Sequence, residues 1–366
     1  MNFQALRRLE MASRTKQDQP SHLLEGTWME ADTASPEEES SSDWRSNPST
    51  CPDFVVSFRG YEQDAAERLG AEIGGALRSL GRIIDIAGLD GVTVAYDYDD
   101  ALAQLDRGYE TSFVLERTND VAIGIAMTPS VLRNDVLKSH IVISGDIADG
   151  LLDADDDRQR GIVHTLAHES AHVETTAAWD RCFPGELLRT SYRSNLDAWR
   201  SQVMSACWDE YSACRICGDI GYDPVPGYAQ TFLKVLSEID GNVDNLVAGF
   251  EGGNADTLVG PVFGAFGNLM KFACYLQGAL AGAGRSRDDV PEVTTALASS
   301  WFDRYFDRLA IACAEIFEEF GRWTDKSKFD VISDMVEEIV EERVARIWSH
   351  EDGTYSIFIH RGLARA

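Results

Sequence analysis

Three histidines, His164, His168 and His172, recur at every fourth position within Gly161-Ile-Val-His-Thr-Leu-Ala-His-Glu-Ser-Ala-His-Val-Glu174. Four residues is close to one helical turn, so in a helix the three imidazoles project from one face. Ile162, Val163, Leu166, Ala167, Val173 and Ala177 give that helix an apolar side, and it is expected to begin near Asp157. The fold must therefore bury this helix against a core and also give a row of imidazoles something polar to hold. His168, Glu169 and His172 form the pattern H-E-x-x-H. Two neutral imidazole nitrogens on one face can grip one Zn²⁺ at about 2.0–2.1 Å. Glu169 sits beside the pair, where it can take a proton from a water acidified by the ion and deliver it to a leaving amine.

A zinc site of this kind needs a third protein ligand and leaves the fourth position to water. One route to the third ligand is a Gly and another His soon after the motif. The chain reads Val173-Glu-Thr-Thr-Ala-Ala-Trp-Asp180 there, which closes that route. A carboxylate from a second helix is the other option. Tyr192, Leu196, Trp199, Val203, Cys207, Cys214 and Cys217 recur in steps of three and four or their sums, and Glu210 fills the gap in that stripe. An inward carboxylate is costly unless it is paired or binds a metal, so Glu210 is the expected third ligand. Asp209 points about 100° away on the same helix. Glu174, two residues from His172, falls on a different face.

Two other patterns are weaker. Cys214-Arg-Ile-Cys217 has no second C-x-x-C to complete a structural zinc site, and Cys207, Cys214 and Cys217 share the apolar stripe, where small buried cysteines fit. Asp153, Asp155 and Asp157 have the first spacings of a calcium loop. Arg158 and His164 stand where that loop needs Gly and Glu, so the carboxylates read instead as partners of a helix N-terminus.

Around this centre the chain reads as an α+β protein. Residues 1–50 include the acidic run Ser35–Asp43 and are expected to be disordered, with order beginning near Phe54. Short strands are expected at Phe54–Phe58, Val92–Tyr98, Ser112–Glu116, Val121–Met127 and His140–Ser144, the second half-buried, with Asp99 or Asp100 capping a short helix after it. A helix is expected from about Ala65 to Leu80, closed by Gly81. Pro224-Val-Pro226-Gly227 marks the expected end of a domain spanning 51–222. The region 223–366 reads as mainly helical, near 229–239, 262–283, 292–320 and 328–348, with a closing strand at Thr354–His360. The nearly charge-free stretch Val259–Ala283 contains Lys271, Asn268, Gln277 and Pro261, which favours a buried helix over a membrane span.

Asp and Glu number 61 against 33 Lys and Arg, a formal net charge of −28, so binding to nucleic acid through a general basic surface is not expected. Seven scattered cysteines and an N-terminus without a long apolar run favour a cytoplasmic protein over a secreted disulfide scaffold.

His168-Glu169-x-x-His172 followed by Glu210-Tyr211-Ser212-Ala213 resembles the gluzincin metallopeptidases. The Glu-x-x-Ala element is most similar to the small intracellular branch that includes ImmA/IrrE-like proteins and minigluzincins. The resemblance covers about residues 90–217 and implies a zincin-like small sheet, then the motif helix, then the glutamate helix. It implies one zinc ion held by His168, His172 and Glu210, Glu169 as the catalytic base, and a peptide or protein substrate. It also implies that the strand before the motif helix borders the substrate cleft, here Ile141, Val142 and Ile143 of His140–Ser144. Larger gluzincins often carry an Asp four residues after the ligand Glu, where this chain has Cys214. A donor for the transition-state oxyanion could come from His164, Tyr211, Arg215 or Tyr192, and the sequence does not choose among them. A zincin frame used only for binding or regulation, and a zinc hydrolase acting on a bond other than the peptide bond, are the alternatives.

Overall fold

A computed structural model describes residues 44–111, 114–117, 124–189 and 191–361. Across them the protein is a mixed α+β fold with one small sheet, a two-stranded ribbon and a predominantly helical remainder. Strand β1 (Val55–Arg59) leads to helix α1 (Gln63–Leu80), β2 (Leu89–Ala95), short α2 (Tyr98–Ala103), β3 (Ala126–Met127), β4 (Ser130–Arg133) and β5 (Val136–Ser144). β2 lies between β1 and β5 and is parallel to both, while β3 and β4 run antiparallel along the other side of β5. The turn between β4 and β5 places Asn134 at φ 53° and Asp135 at φ 61°. Both are left-handed, as a tight two-residue hairpin turn requires, and Asn and Asp tolerate that region better than other side chains.

This topology corrects the expected substrate edge. Ile141, Val142 and Ile143 are in the middle of the sheet and buried. Their outer side is taken by β3 and by the backbone bonds Ser144 N–H to Ile125 O and His140 N–H to Pro129 O. The edge of the sheet on this side is formed by β3 and β4. β2 is also more buried than its alternation suggests. Val92 and Val94 pack with Leu69, Ile73 and Leu166, and Ala95 packs on the opposite face with Tyr98, Leu102 and Val142. Tyr98 belongs to α2, which is capped by the Asp97 carboxylate accepting from Asp100 N–H. Of the strands expected at Ser112–Glu116 and Val121–Met127, residues 112–113 and 121–123 lie outside the described residues. Residues 114–117 are not strand, and only Ala126–Met127 is. The acidic run Ser35–Asp43 also lies outside them. The chain docks earlier than Phe54, since Thr50 N–H donates to Gly81 O and its hydroxyl bonds the carbonyls of Gly81 and Ile84.

After a short helical step, α3 (Gly145–Ala148), the chain enters α4 (Asp156–Cys182). Asp155 caps it, its carboxylate accepting from the backbone N–H groups of Asp157 and Arg158, so the acidic cluster serves the helix N-terminus. Then come α5 (Glu186–Arg189), α6 (Asn195–Cys217), α7 (Val225–Ala248), α8 (Asp256–Gly282), α9 (Pro291–Ala298), α10 (Asp303–Glu318), α11 (Asp330–Arg343), β6 (Ala345–Ser349) and β7 (Tyr355–Ile359). The single helix expected over 292–320 is broken between α9 and α10. The last turns expected of a helix at 328–348 are strand β6, antiparallel to β7, because Ala345 and Ile347 point inward and Arg346 and Trp348 outward. The charge-free stretch lies within α8 and the following turn. Among the described residues no helix is long and apolar enough to cross a membrane.

Two cores meet on α4. Ile162, Val163, Leu166 and Val173 join the core under the sheet, and Ala178 and Trp179 join a larger one that runs through α6, α7, α8 and α11. Helix α8 packs against α6 at very short range. A Cβ at Gly278 would collide with the carbonyl oxygen of Tyr211 and stand 2.9 Å from the Cβ of Cys214. Backbone cannot swing aside as a side chain can, so Gly278→Ala must push the two helices apart. We expect it to lower stability by about 1–3 kcal/mol, read as a drop in the denaturation midpoint. An unchanged midpoint would show that the contact is slack.

Candidate metal centre

Helix α4 crosses the back of the sheet and presents His164, His168 and His172 along one side of a cleft of about 500 Å³. Helix α6 returns antiparallel and brings Glu210 to the same place. The Nε2 atoms of His168 and His172 are 3.0 Å apart. Glu210 Oε2 lies 3.4 Å from the first and 3.5 Å from the second. Four donors arranged tetrahedrally at about 2.0–2.1 Å from zinc are separated by about 3.3–3.4 Å. The three atoms therefore stand almost where such a coordination sphere would put them, and a small opening of the imidazole pair completes the fit. Glu210 Oε2 is buried and takes no hydrogen bond. A buried, unpaired carboxylate oxygen facing two imidazole nitrogens is what a cation would satisfy. Among the described residues, His168, His172 and Glu210 are the one group of three or more donors close enough to share an ion.

The far sides of the imidazoles are also fixed. His172 Nδ1 faces Asp209 Oδ2 at 3.1 Å. His168 Nδ1 faces the thiols of Cys214 at 3.8 Å and Cys217 at 3.9 Å, and its ring stacks on Tyr275 with centroids 5.9 Å apart. Asp209 points away from the ligand position, as the helix geometry requires, but it holds the back of the neighbouring histidine. The C-x-x-C pair packs against His168. Glu174 is elsewhere, accepting from Asp85 N–H at 3.0 Å. Burial alone would raise the Glu210 carboxyl, but the two imidazoles outweigh it and hold Glu210 well below the usual carboxylate range. Burial opposes charging His172, and Asp209 and Glu210 outweigh that and raise it above its ordinary value. Because Asp209 stands 3.1 Å behind His172, Asp209→Ala is expected to weaken any zinc binding at this site about 10- to 100-fold, measured by competition with a chelating dye. Wild-type affinity in that variant would remove Asp209 from the site.

Glu169 points into the same cleft. Its Oε2 accepts from the Thr128 hydroxyl at 2.6 Å, and that hydroxyl also lies 3.2 Å from the Glu169 carbonyl oxygen. Thr128 follows β3 directly, so the sheet edge and the carboxylate are tied together.

The four candidate oxyanion donors separate clearly. Tyr192 precedes α6, is exposed, and its hydroxyl donates to Ser201 Oγ at 3.2 Å. Tyr211 is buried against Trp208, and Arg215 donates to its hydroxyl while lying over the Phe317 ring at 4.2 Å. None of these three lines the cleft. His164 does, but its Nδ1 lies 2.9 Å from Ile220 O, so this nitrogen carries the proton and donates. Burial lowers the imidazole to about 4. The neutral ring then offers an acceptor at Nε2, which is buried without a partner, and no donor.

Two tyrosines that sequence reasoning missed, Tyr228 of α7 and Tyr275 of α8, also line the cleft. Burial, joined by nearby negative charge including that of Glu210, raises both phenols well above their ordinary value, so they stay protonated. Tyr275 lies four residues after Lys271, so the two share one face of α8. No known protein family, curated protein or solved structure matches this chain.

Proposed function

We propose that the protein is a zinc-dependent metallopeptidase of gluzincin type. The observation that carries this reading is the convergence of two Nε2 atoms and one carboxylate oxygen, 3.0–3.5 Å apart, beside a second buried carboxylate that is not among the three. Zinc held by His168, His172 and Glu210 would supply a Lewis acid and a water whose pKa falls to about 7.

The chain's own residues do the rest. Thr128 donates to one oxygen of Glu169 and leaves the other to take a proton from the attacking water, and Glu169 then returns that proton to the leaving amine. The hydroxyls of Tyr228 and Tyr275 are protonated donors in the same cleft, suited to the negative charge that develops on the carbonyl oxygen. β3 pairs with β5 on one side only, and among the described residues no strand pairs with its other side. Gly124–Thr128 line the cleft, so an extended peptide can add to this edge through main-chain hydrogen bonds.

The test begins with metal. Purified protein offered zinc should hold one equivalent, and His172→Ala and Glu210→Ala should lose it. A wild type that takes up no zinc would end the proposal. Zinc-loaded protein should then cleave peptides from a proteome digest. Retained zinc without cleavage would favour a binding or regulatory role.

A further inference from the structure

Lys271 is the only Lys or Arg among the described residues lining the cleft. The chain has six lysines in all. Lys326 and Lys328 are paired with Glu186 and Glu319. Lys271 has no carboxylate partner among the described residues, although the cleft also holds Glu169, Asp209 and Glu210 and the whole chain carries −28. Its ammonium lies over the Phe272 ring at 5.2 Å, which keeps it on the cleft wall. Its place on α8 is informative. Residues 271 and 275 are four residues apart, a rise of about 6 Å, on the same face, and Tyr275 stacks on His168. An extended peptide advances about 3.3 Å per residue, so for a peptide running along α8 the ammonium would stand opposite a position one to three residues from a bond held at the imidazole pair.

The wider negative field does not decide what binds there. At physiological salt, exposed charges more than about 8 Å away are largely screened, and Lys271 brings the one basic side chain to the cleft lining among the described residues. We propose that Lys271 recognises a carboxylate, and that the substrates are peptides carrying one within three residues of the scissile bond. This rests on the peptidase reading above. Two sources share this chemistry, the free C-terminus of a short peptide and the side chain of Asp or Glu.

The experiment uses the full-length, zinc-loaded protein and a proteome-derived peptide mixture read by mass spectrometry. Cleaved bonds should be enriched for Asp, Glu or a chain end on one side. The best-cleaved peptide is then made with a free or amidated C-terminus, and with Glu or Gln at the enriched position. In the wild type the acid form should exceed its amide counterpart in kcat/KM by about 10- to 100-fold, the range of one charge-assisted hydrogen bond. That ratio should fall close to one in Lys271→Met, survive in Lys271→Arg, and invert toward Lys- or Arg-bearing peptides in Lys271→Glu. Sensitivity to amidation of the chain end identifies the C-terminal source, and sensitivity to Glu-to-Gln replacement identifies the side chain. Because each ratio is internal to one variant, partial loss of folded protein does not disturb it. Active cleavage with equal acid and amide rates, or a ratio that Lys271→Met leaves unmoved, overturns this inference and spares the peptidase. Zinc uptake without any cleavage overturns both.

Discussion

Glu169→Gln should bind one equivalent of zinc as tightly as the wild type and cleave peptides about 100- to 10,000-fold more slowly. The amide has the size of the carboxylate, and its oxygen can still accept from the Thr128 hydroxyl, which lies 2.6 Å from Oε2. What it lacks is a lone pair basic enough to take a proton from water. The proposed metal donors His168, His172 and Glu210 are untouched, so metal content and kcat/KM should part company. Metal analysis and a cleavage assay on the same preparation check this. Loss of zinc would place Glu169 inside the coordination sphere, and retained activity would move the proton transfer to another group.

The second large effect is on acid stability. Burial lowers the His164 imidazole to about 4, against its ordinary 6.5. The unfolded chain takes up a proton as the pH falls through about 6.5, and the folded chain resists it until about 4. His164 therefore contributes its full stability above pH 6.5, and that contribution is lost progressively between 6.5 and 4. The separation corresponds to about 3 kcal/mol. Denaturant unfolding of the metal-free protein, with chelator present throughout, should show stability falling by up to about 1.4 kcal/mol per pH unit more steeply in the wild type than in His164→Gln across this window. Parallel pH profiles for the two proteins would mean that the ring is not held neutral by its surroundings.

Much of the centre was legible because helical period is a strong constraint. Two imidazoles four residues apart must share a face, and a carboxylate in an apolar stripe must find a partner, so His168, His172 and Glu210 could be chosen before any coordinates. The sheet edge was not legible in the same way. A buried run such as His140–Ser144 reads alike whether it is central or at an edge, and only the pairing of β3 and β4 with β5 distinguishes them. The signal for that hairpin was Asn134-Asp135 between two apolar segments. Tyr228, Lys271 and Tyr275 were missed for a different reason. They lie beyond Pro224, on helices whose overall pattern speaks only of packing, and they acquire meaning through the cleft that they line together with α4. Tyr211 and Arg215 drew attention through nearness to Glu210 in sequence, yet each sits on a part of the turn that faces the other core.

The cleft draws its lining from segments far apart in the chain, Gly124–Thr128 with the histidine and glutamate helices early and α7 with α8 late. A ribosome releases the first set well before the second. While synthesis is under way the three donors exist without Tyr228, Lys271 and Tyr275, and α6 has not met the helix that grips its back. The complete lining of the cleft therefore exists only after the later helices have been made and have docked.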